Sequence, residues 1–296
     1  MKKVIFVRVP RTASTNFTGV LEHIYKPKII RDLVWQQMPA RDRIKKLKKG
    51  EYFYDFDNMK YPAKNIRTYD AIEGHFLAKK YEALKDEYGF VTFLRNPIER
   101  VISHFNIIIS RQDRLKLDIK KFAKIYKNLH KAMIGDINDF SFVGITEMFA
   151  FSTQMFYEKF EIPTNKRMNV KSRKRIRTVG KKRPVSKKER AFIREINAED
   201  FEMYDHVRKQ LTEIQQKRVK NRKEKLEKEK VKEKIEVKEL STNEQEKLRK
   251  KRIKRRIKRK KIAEEERRKR IRRKQRQAKR KGKGRTNGKA KNITDN

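Results

Sequence analysis

The last aromatic side chain in this 296-residue sequence is Tyr204: all 17 Phe, all 10 Tyr and the single Trp lie before residue 205. A folded core needs large apolar side chains to offset the entropy lost on ordering the chain. The aromatic boundary therefore predicts a folded part ending near residue 216, followed by a stretch that builds no core of its own. Charge divides at the same place. Residues 1–216 carry 46 Lys and Arg against 26 Asp and Glu, a net of +20, and residues 217–296 carry 38 against 12, a net of +26. The expectation is one domain over 1–216 and a Lys/Arg-rich, helical or disordered tail over 217–296.

Within the tail, "NRKEKLEKEKVKEKIEVKEL" interleaves the two signs, as a solvated single helix does. Residues 247–285 hold 25 basic and 3 acidic side chains, and the last residues have the composition of disorder. A dense Lys/Arg run can bind phosphate polymers through counterion release. Without aromatics for stacking, such binding to nucleic acid or another polyanion would be independent of sequence. A solvated tail with no specific partner is the other reading of the same run.

The chain has no cysteine, which excludes disulfides, thiolate catalysis and cysteine-ligated metals. No stretch approaches the roughly 18 apolar residues of a membrane-spanning helix. The apolar run in "MKKVIFVRVPR" is too short for a signal peptide and reads as a buried first strand. A cytoplasmic protein is the expectation.

Segments rich in branched and aromatic residues mark strands at 3–9 (KVIFVRV), in "YDAIEGHF" (69–76), at 90–95 (FVTFLR) and in "FSFVGITE" (140–147). Helical periodicity appears at 15–25, 79–89 (ending at Gly89), 97–110, 113–134, 148–160, 186–196 and 198–216. Residues 26–68 mix basic helix-like patches with an aromatic turn, and 163–185 read as a basic loop. Strands alternating with helices predict an α/β domain: a P-loop-like three-layer arrangement around a central, mostly parallel sheet. Ligands of such sheets bind at the carboxyl ends of the strands, which directs attention to the loops at 10–16 and 95–103.

In "VIFVRVPRTASTNF" a strand runs into a turn and a helix start. Such a junction can gather backbone N–H groups around an anion, with Thr12, Ser14 and Thr15 adding hydroxyls and Arg11 a charge. The same residues also suit a plain helix cap by Ser14 or Thr15. The Walker pattern is absent. In "TFLRNPIERVISHF" the architecture recurs, with Arg95 at the strand end, a proline in the first helical turn and Ser103 two turns along.

Together, "VPRTASTNF" and "FLRNPIERVISHF" resemble the two nucleotide-binding motifs of the sulfotransferases, closest to the heparan sulfate 2-O-sulfotransferase branch. "YDAIEGHF", "FVGITEMFAFSTQMF" and "RTVGKKRPVSKKERAFIREINAEDFEMYDHV" resemble further family segments in the family order. The resemblance covers roughly residues 3–212 and implies transfer of a sulfuryl group from 3′-phosphoadenosine-5′-phosphosulfate to a hydroxyl acceptor, a carbohydrate by family analogy, with no metal. By matched position it assigns Arg11, Thr12, Ala13, Ser14 and Thr15 to the 5′-phosphosulfate loop, and Arg95 and Ser103 to the 3′-phosphate. Thr178 and Lys181 would lie in the loop over the nucleotide.

His75 is the implied base, since an imidazole of ordinary pKa suits proton abstraction near neutrality. Glu73 is a second candidate base, and His104 a packing or substrate-contact residue. Arg11 stands where the family usually has lysine. It keeps the charge and gains a fork suited to phosphate, but it is bulkier and no longer a point donor. Ala13 replaces a common glycine and narrows the freedom of the turn. A catalytically degenerate relative that binds polyanions through its tail is the competing expectation.

Overall fold

The computed structural model describes residues 1–32, 60–111, 118–170 and 184–238, together with isolated helical residues at 45, 49 and between 246 and 266. The chain divides into two units, Met1–Arg218 and Val219–Asn296.

The first unit is built on five strands: β1 (Lys3–Val7), β2 (Ile29–Asp32), β3 (Ala71–Gly74), β4 (Tyr88–Leu94) and β5 (Phe142–Ile145). They form one sheet in the order β2-β3-β1-β4-β5, with every neighbouring pair parallel. Both faces are covered, so the strands read as continuous apolar runs rather than alternating ones. Val4 and Phe6 of β1, with Val91 and Phe93 of β4, face α1 (Ser14–Tyr25); Phe17 of α1 packs edge-on against Phe6 with ring centroids 4.8 Å apart. Ile5, Val7 and Leu94 face the opposite way, into a larger core. That core is closed by α2 (Pro97–Arg111), α3 (Ile119–Ile125), α4 (Leu129–Ile134), α6 (Lys187–Ile196) and the first turns of α7 (Ala198–Lys238). The remaining helix, α5 (Phe149–Lys159), joins α1 on the first face through Phe156 and Tyr157. The α/β class and the three-layer arrangement expected from the sequence are what the chain adopts.

Three local expectations are corrected. Residues 79–89 are not a helix ending at Gly89: a 3-10 helix covers Ala78–Leu84, and Gly89 lies inside β4. A β-carbon at Gly89 would come within 2.7 Å of the Phe160 ring, so this glycine serves close packing rather than helix termination. The helix expected over 113–134 is, among the described residues, two short helices parted at Asn128, whose φ of 45° is left-handed. β2 is a strand within a stretch read as helix-like patches; it is only four residues long and, among the described residues, pairs with β3 alone. Among the described residues of the second unit, the helix continues through Lys238, and Val219, Leu226 and Val231 are exposed on it.

The chain leaves β1 toward β2 and β3 on one side, then returns to β4 and β5 on the other. The carboxyl ends of β1 and β4 therefore flank the point where the strand order reverses, the place where open α/β sheets bind ligands.

Candidate functional site

The loop after β1 is tightly curled. Arg11 and Ala13 both have left-handed φ, 71° and 58°, and Thr12 between them is buried with its hydroxyl donating to the Val9 carbonyl at 2.8 Å. The Thr12 side chain thus braces the turn. Ala13 is the N-cap residue of α1 and supplies no side-chain bond, so neither Ser14 nor Thr15 caps the helix. The first-turn N–H groups of a helix have no intrahelical acceptor, and here the positive helix end faces the curled loop. Such a strand–turn–helix junction suits an oxyanion.

Arg95 directly follows the neighbouring strand, β4. Its Nη1 donates to the main-chain carbonyl of Arg11 at 3.1 Å, and Arg11 Nε in turn donates to Ser103 Oγ at 3.0 Å. Two segments more than eighty residues apart thereby form one cationic, hydroxyl-bearing surface. The Asn96 side chain accepts from the Glu99 N–H at 3.3 Å, while its own N–H donates to Glu147 Oε1 at 3.1 Å, holding the start of α2 to the end of β5. Arg100, fully buried one turn before Ser103, donates to the Tyr126 carbonyl at 3.0 Å and lies 3.8 Å from Asp200 Oδ2. These contacts fix α2 and with it Ser103.

His75 follows β3 directly. Its Nδ1 lies 2.6 Å from the Arg8 carbonyl; the partner is an acceptor, so Nδ1 carries the proton and Nε2 keeps its lone pair. Burial first, then the Arg8 guanidinium, pulls the imidazole pKa down to about 3, so the ordinary pKa expected from the sequence is not kept and the ring is neutral at pH 7. His104 is a packing residue, buried between Phe122 and Tyr126 with ring centroids at 5.1 and 4.6 Å. Burial, then the charges of Arg100 and Arg11, holds its pKa well below the usual histidine range.

Glu73 does not present itself as a base. It is fully buried, with Arg8 Nη1 at 2.7 Å and the Thr18 hydroxyl at 3.2 Å on Oε2, and Arg31 Nε at 2.8 Å from Oε1. A second buried ion pair, Lys80 Nζ with Asp32 Oδ2 at 2.6 Å, lies at the end of β2, and the Tyr81 hydroxyl donates to the same oxygen at 3.0 Å. Sequence reading missed Arg8, Arg31, Thr18, Asp32 and Lys80. The available signal was Glu73 itself, a carboxylate inside a strand whose four residues are all buried. Of the residues expected at the site, Arg11, Thr12, Ala13, Ser14 and Thr15 lie in the loop and helix start after β1, Arg95 and Ser103 lie in the segment after β4 and are tied to Arg11, and His75 follows β3. Thr178 and Lys181 lie outside the described residues.

A model described as the sulfotransferase family matches residues 1–134, the stretch that carries the curled loop, His75, Arg95 and Ser103. No curated protein sequence matches the chain. A sulfotransferase from Alicyclobacillus acidocaldarius, solved by crystallography, aligns with 12% identity over 70% of this chain and 96% of its own, at a TM-score of 0.39. Among the described residues, no helix is long and apolar enough to cross a membrane, and no group of three or more His, Asp or Glu could hold a metal ion.

Proposed function

We propose that the chain is a 3′-phosphoadenosine-5′-phosphosulfate-dependent O-sulfotransferase acting on a carbohydrate hydroxyl. The observation that carries this reading is the double tie Arg95–Arg11–Ser103, which joins the two phosphate-binding motifs into a single site at the sheet's reversal point. The residues fit such a donor. The loop curls at two left-handed positions before an uncapped helix start, and the arginine and serine of the second motif lie beside it.

Arg95 and Ser103 would hold the 3′-phosphate. The N–H groups of residues 11–15 and the Ser14 hydroxyl would hold the 5′ end. When bound, the donor supplies an activated sulfuryl group. His75 accepts the acceptor hydroxyl's proton at Nε2. As the acceptor oxygen bonds to sulfur, the bond from sulfur to the 5′-phosphate oxygen breaks, and Arg11 and the loop N–H groups stabilise the charge left on that oxygen. The net positive charge of residues 1–216 favours an anionic acceptor, such as an acidic glycan.

Transfer of labelled sulfate from the donor to a panel of hydroxyl acceptors tests this reading, with His75→Ala as the control. Label appearing in a glycan with the parent and not with the variant supports it. A parent that binds adenosine 3′,5′-bisphosphate and transfers nothing supports a second reading, of a degenerate relative that binds polyanions through its basic tail. One observation favours that alternative: the Arg11 guanidinium, at the usual lysine position, is engaged with Ser103.

A further inference from the structure

We infer that Glu73 is a positioning residue: by clamping the Arg8 side chain it holds the Arg8 main-chain carbonyl where it fixes His75 in the Nδ1–H form. This rests on the proposed function for its catalytic meaning, but the clamp and the tautomer are properties of the fold.

The geometry follows from the register of three parallel strands. Glu73 on β3 lies opposite Arg31 on β2 and Phe6 on β1. Side chains along a strand alternate between faces, so Ala71 and Glu73 of β3 point the same way as Val4, Phe6 and the following Arg8, under α1. Ala71, Val4 and Phe6 fill the apolar part of that face; Glu73, Arg8, Arg31 and Thr18 fill its end nearest the site. A carboxylate with no access to water needs charged partners and hydrogen bonds. Glu73 gets Arg8 and the Thr18 hydroxyl on Oε2 and Arg31 on Oε1. Thr18 comes from α1, the helix that opens at the donor loop, and Arg31 also pairs with Glu22 of that helix.

Arg8 is thus held at both ends. Its side chain is on Glu73, and its backbone N–H donates to the Gly74 carbonyl at 2.9 Å. Its carbonyl then accepts the hydrogen bond donated by His75 Nδ1–H at 2.6 Å. Gly74, between Glu73 and His75, passes so near β2 that a β-carbon there would lie 2.5 Å from the Asp32 carbonyl. Among the described residues, the Arg8 guanidinium acts on His75, and His75 in turn acts on His104 of α2.

The test uses the full chain with 15N-labelled histidine, comparing the parent with Glu73→Gln, Glu73→Asp and Arg8→Gln. The side-chain nitrogens are read by NMR from pH 5 to 8. Turnover and adenosine 3′,5′-bisphosphate affinity are measured alongside. The parent should show His75 as a single Nδ1–H tautomer. Glu73→Gln should show mixed tautomers and a kcat at least tenfold lower, with nucleotide affinity within about twofold of the parent. Glu73→Asp, which keeps the charge, should recover part of both. If Glu73→Gln fails to fold, Arg8→Gln, which leaves Glu73 paired with Arg31, should give the same mixed tautomers. A folded variant that keeps a pure Nδ1–H ring and parental turnover overturns the inference. A parent without turnover whose His75 tautomer still responds to Glu73 leaves the clamp standing and removes the catalytic reading instead.

Discussion

Arg11 and Ser103 touch. The guanidinium Nε donates to the hydroxyl at 3.0 Å, across 92 residues of sequence, and Arg95 closes the group by donating to the Arg11 carbonyl. The Arg11 side chain is therefore directed at the helix after β4, and its main chain is held by the arginine that follows that strand. Arg95→Ala should remove a charge-assisted contact to phosphate together with this tie. Such bonds contribute about 1.5–3 kcal/mol, so adenosine 3′,5′-bisphosphate should bind roughly ten- to a hundredfold more weakly by calorimetry. Unchanged affinity would remove the assignment of Arg95 to the 3′-phosphate.

Arg11→Lys replaces a fork with a point donor. The ammonium loses the bond to Ser103 and becomes available at the leaving oxygen. The expected result is a higher kcat with nucleotide affinity changed by no more than about threefold, since the charge is retained. A variant slower than the parent would show that the arginine is the adapted residue.

Ala13 holds a left-handed φ of 58°. A β-carbon in that region costs about 1–2 kcal/mol. Ala13→Gly should therefore raise the melting temperature by a few degrees, at about 2–4 °C per kcal/mol for a domain of this size. A fall in melting temperature would mean that the added freedom of the unfolded chain outweighs the strain relieved.

His75, His104 and His130 are all held below the ordinary histidine pKa, mainly by burial. His130 is fully buried, 3.5 Å from Asp200 Oδ2, with its pKa lowered to about 4. Between pH 6.5 and about 4 the unfolded chain binds protons at this position that the folded chain does not. Stability is thus present above pH 6.5 and lost as pH falls through that window, by up to about 1.4 kcal/mol per pH unit for one proton. His130→Phe should flatten the dependence of the melting temperature on pH between 4 and 6.5 relative to the parent. An equally steep dependence would assign the acid sensitivity elsewhere.

Gly89→Ala brings a β-carbon within 2.7 Å of Phe160, a residue buried in the core. Overpacking of this kind costs about 1–3 kcal/mol, and the urea midpoint should drop with an unchanged m-value. A midpoint equal to the parent's would show that the Phe160 ring yields without cost.

The strands β1, β4 and β5 were legible because each is a short apolar run ending in turn-forming or polar residues, and α1 and α2 because their apolar residues recur at helical spacing. Such patterns are local, and a sequence displays them directly. β2 was not legible: at four residues, "IIRD" carries too little pattern, and its strand form comes from pairing with β3. Gly89 misled for the same reason. A glycine after a helical pattern reads as a stop, yet here it is demanded by a ring seventy-one residues away. Arg11, Arg95, Ser103 and His75 could be singled out one by one as candidates from their motifs, whereas the contacts of Arg11 with Arg95 and Ser103 could not be read there.

By itself the sequence determined the layer architecture, through apolar runs alternating with amphipathic helices, and the types of residue available to the site. The tertiary structure decided what those residues touch. It turned Arg11 toward Ser103, spent the Thr12 hydroxyl on its own loop and left α1 without a side-chain cap. It also converted Glu73 from a candidate base into a buried clamp on Arg8. A side chain's chemistry follows from its identity, but its partners, its burial and hence its charge state depend on strand register, which joins positions that no local pattern connects.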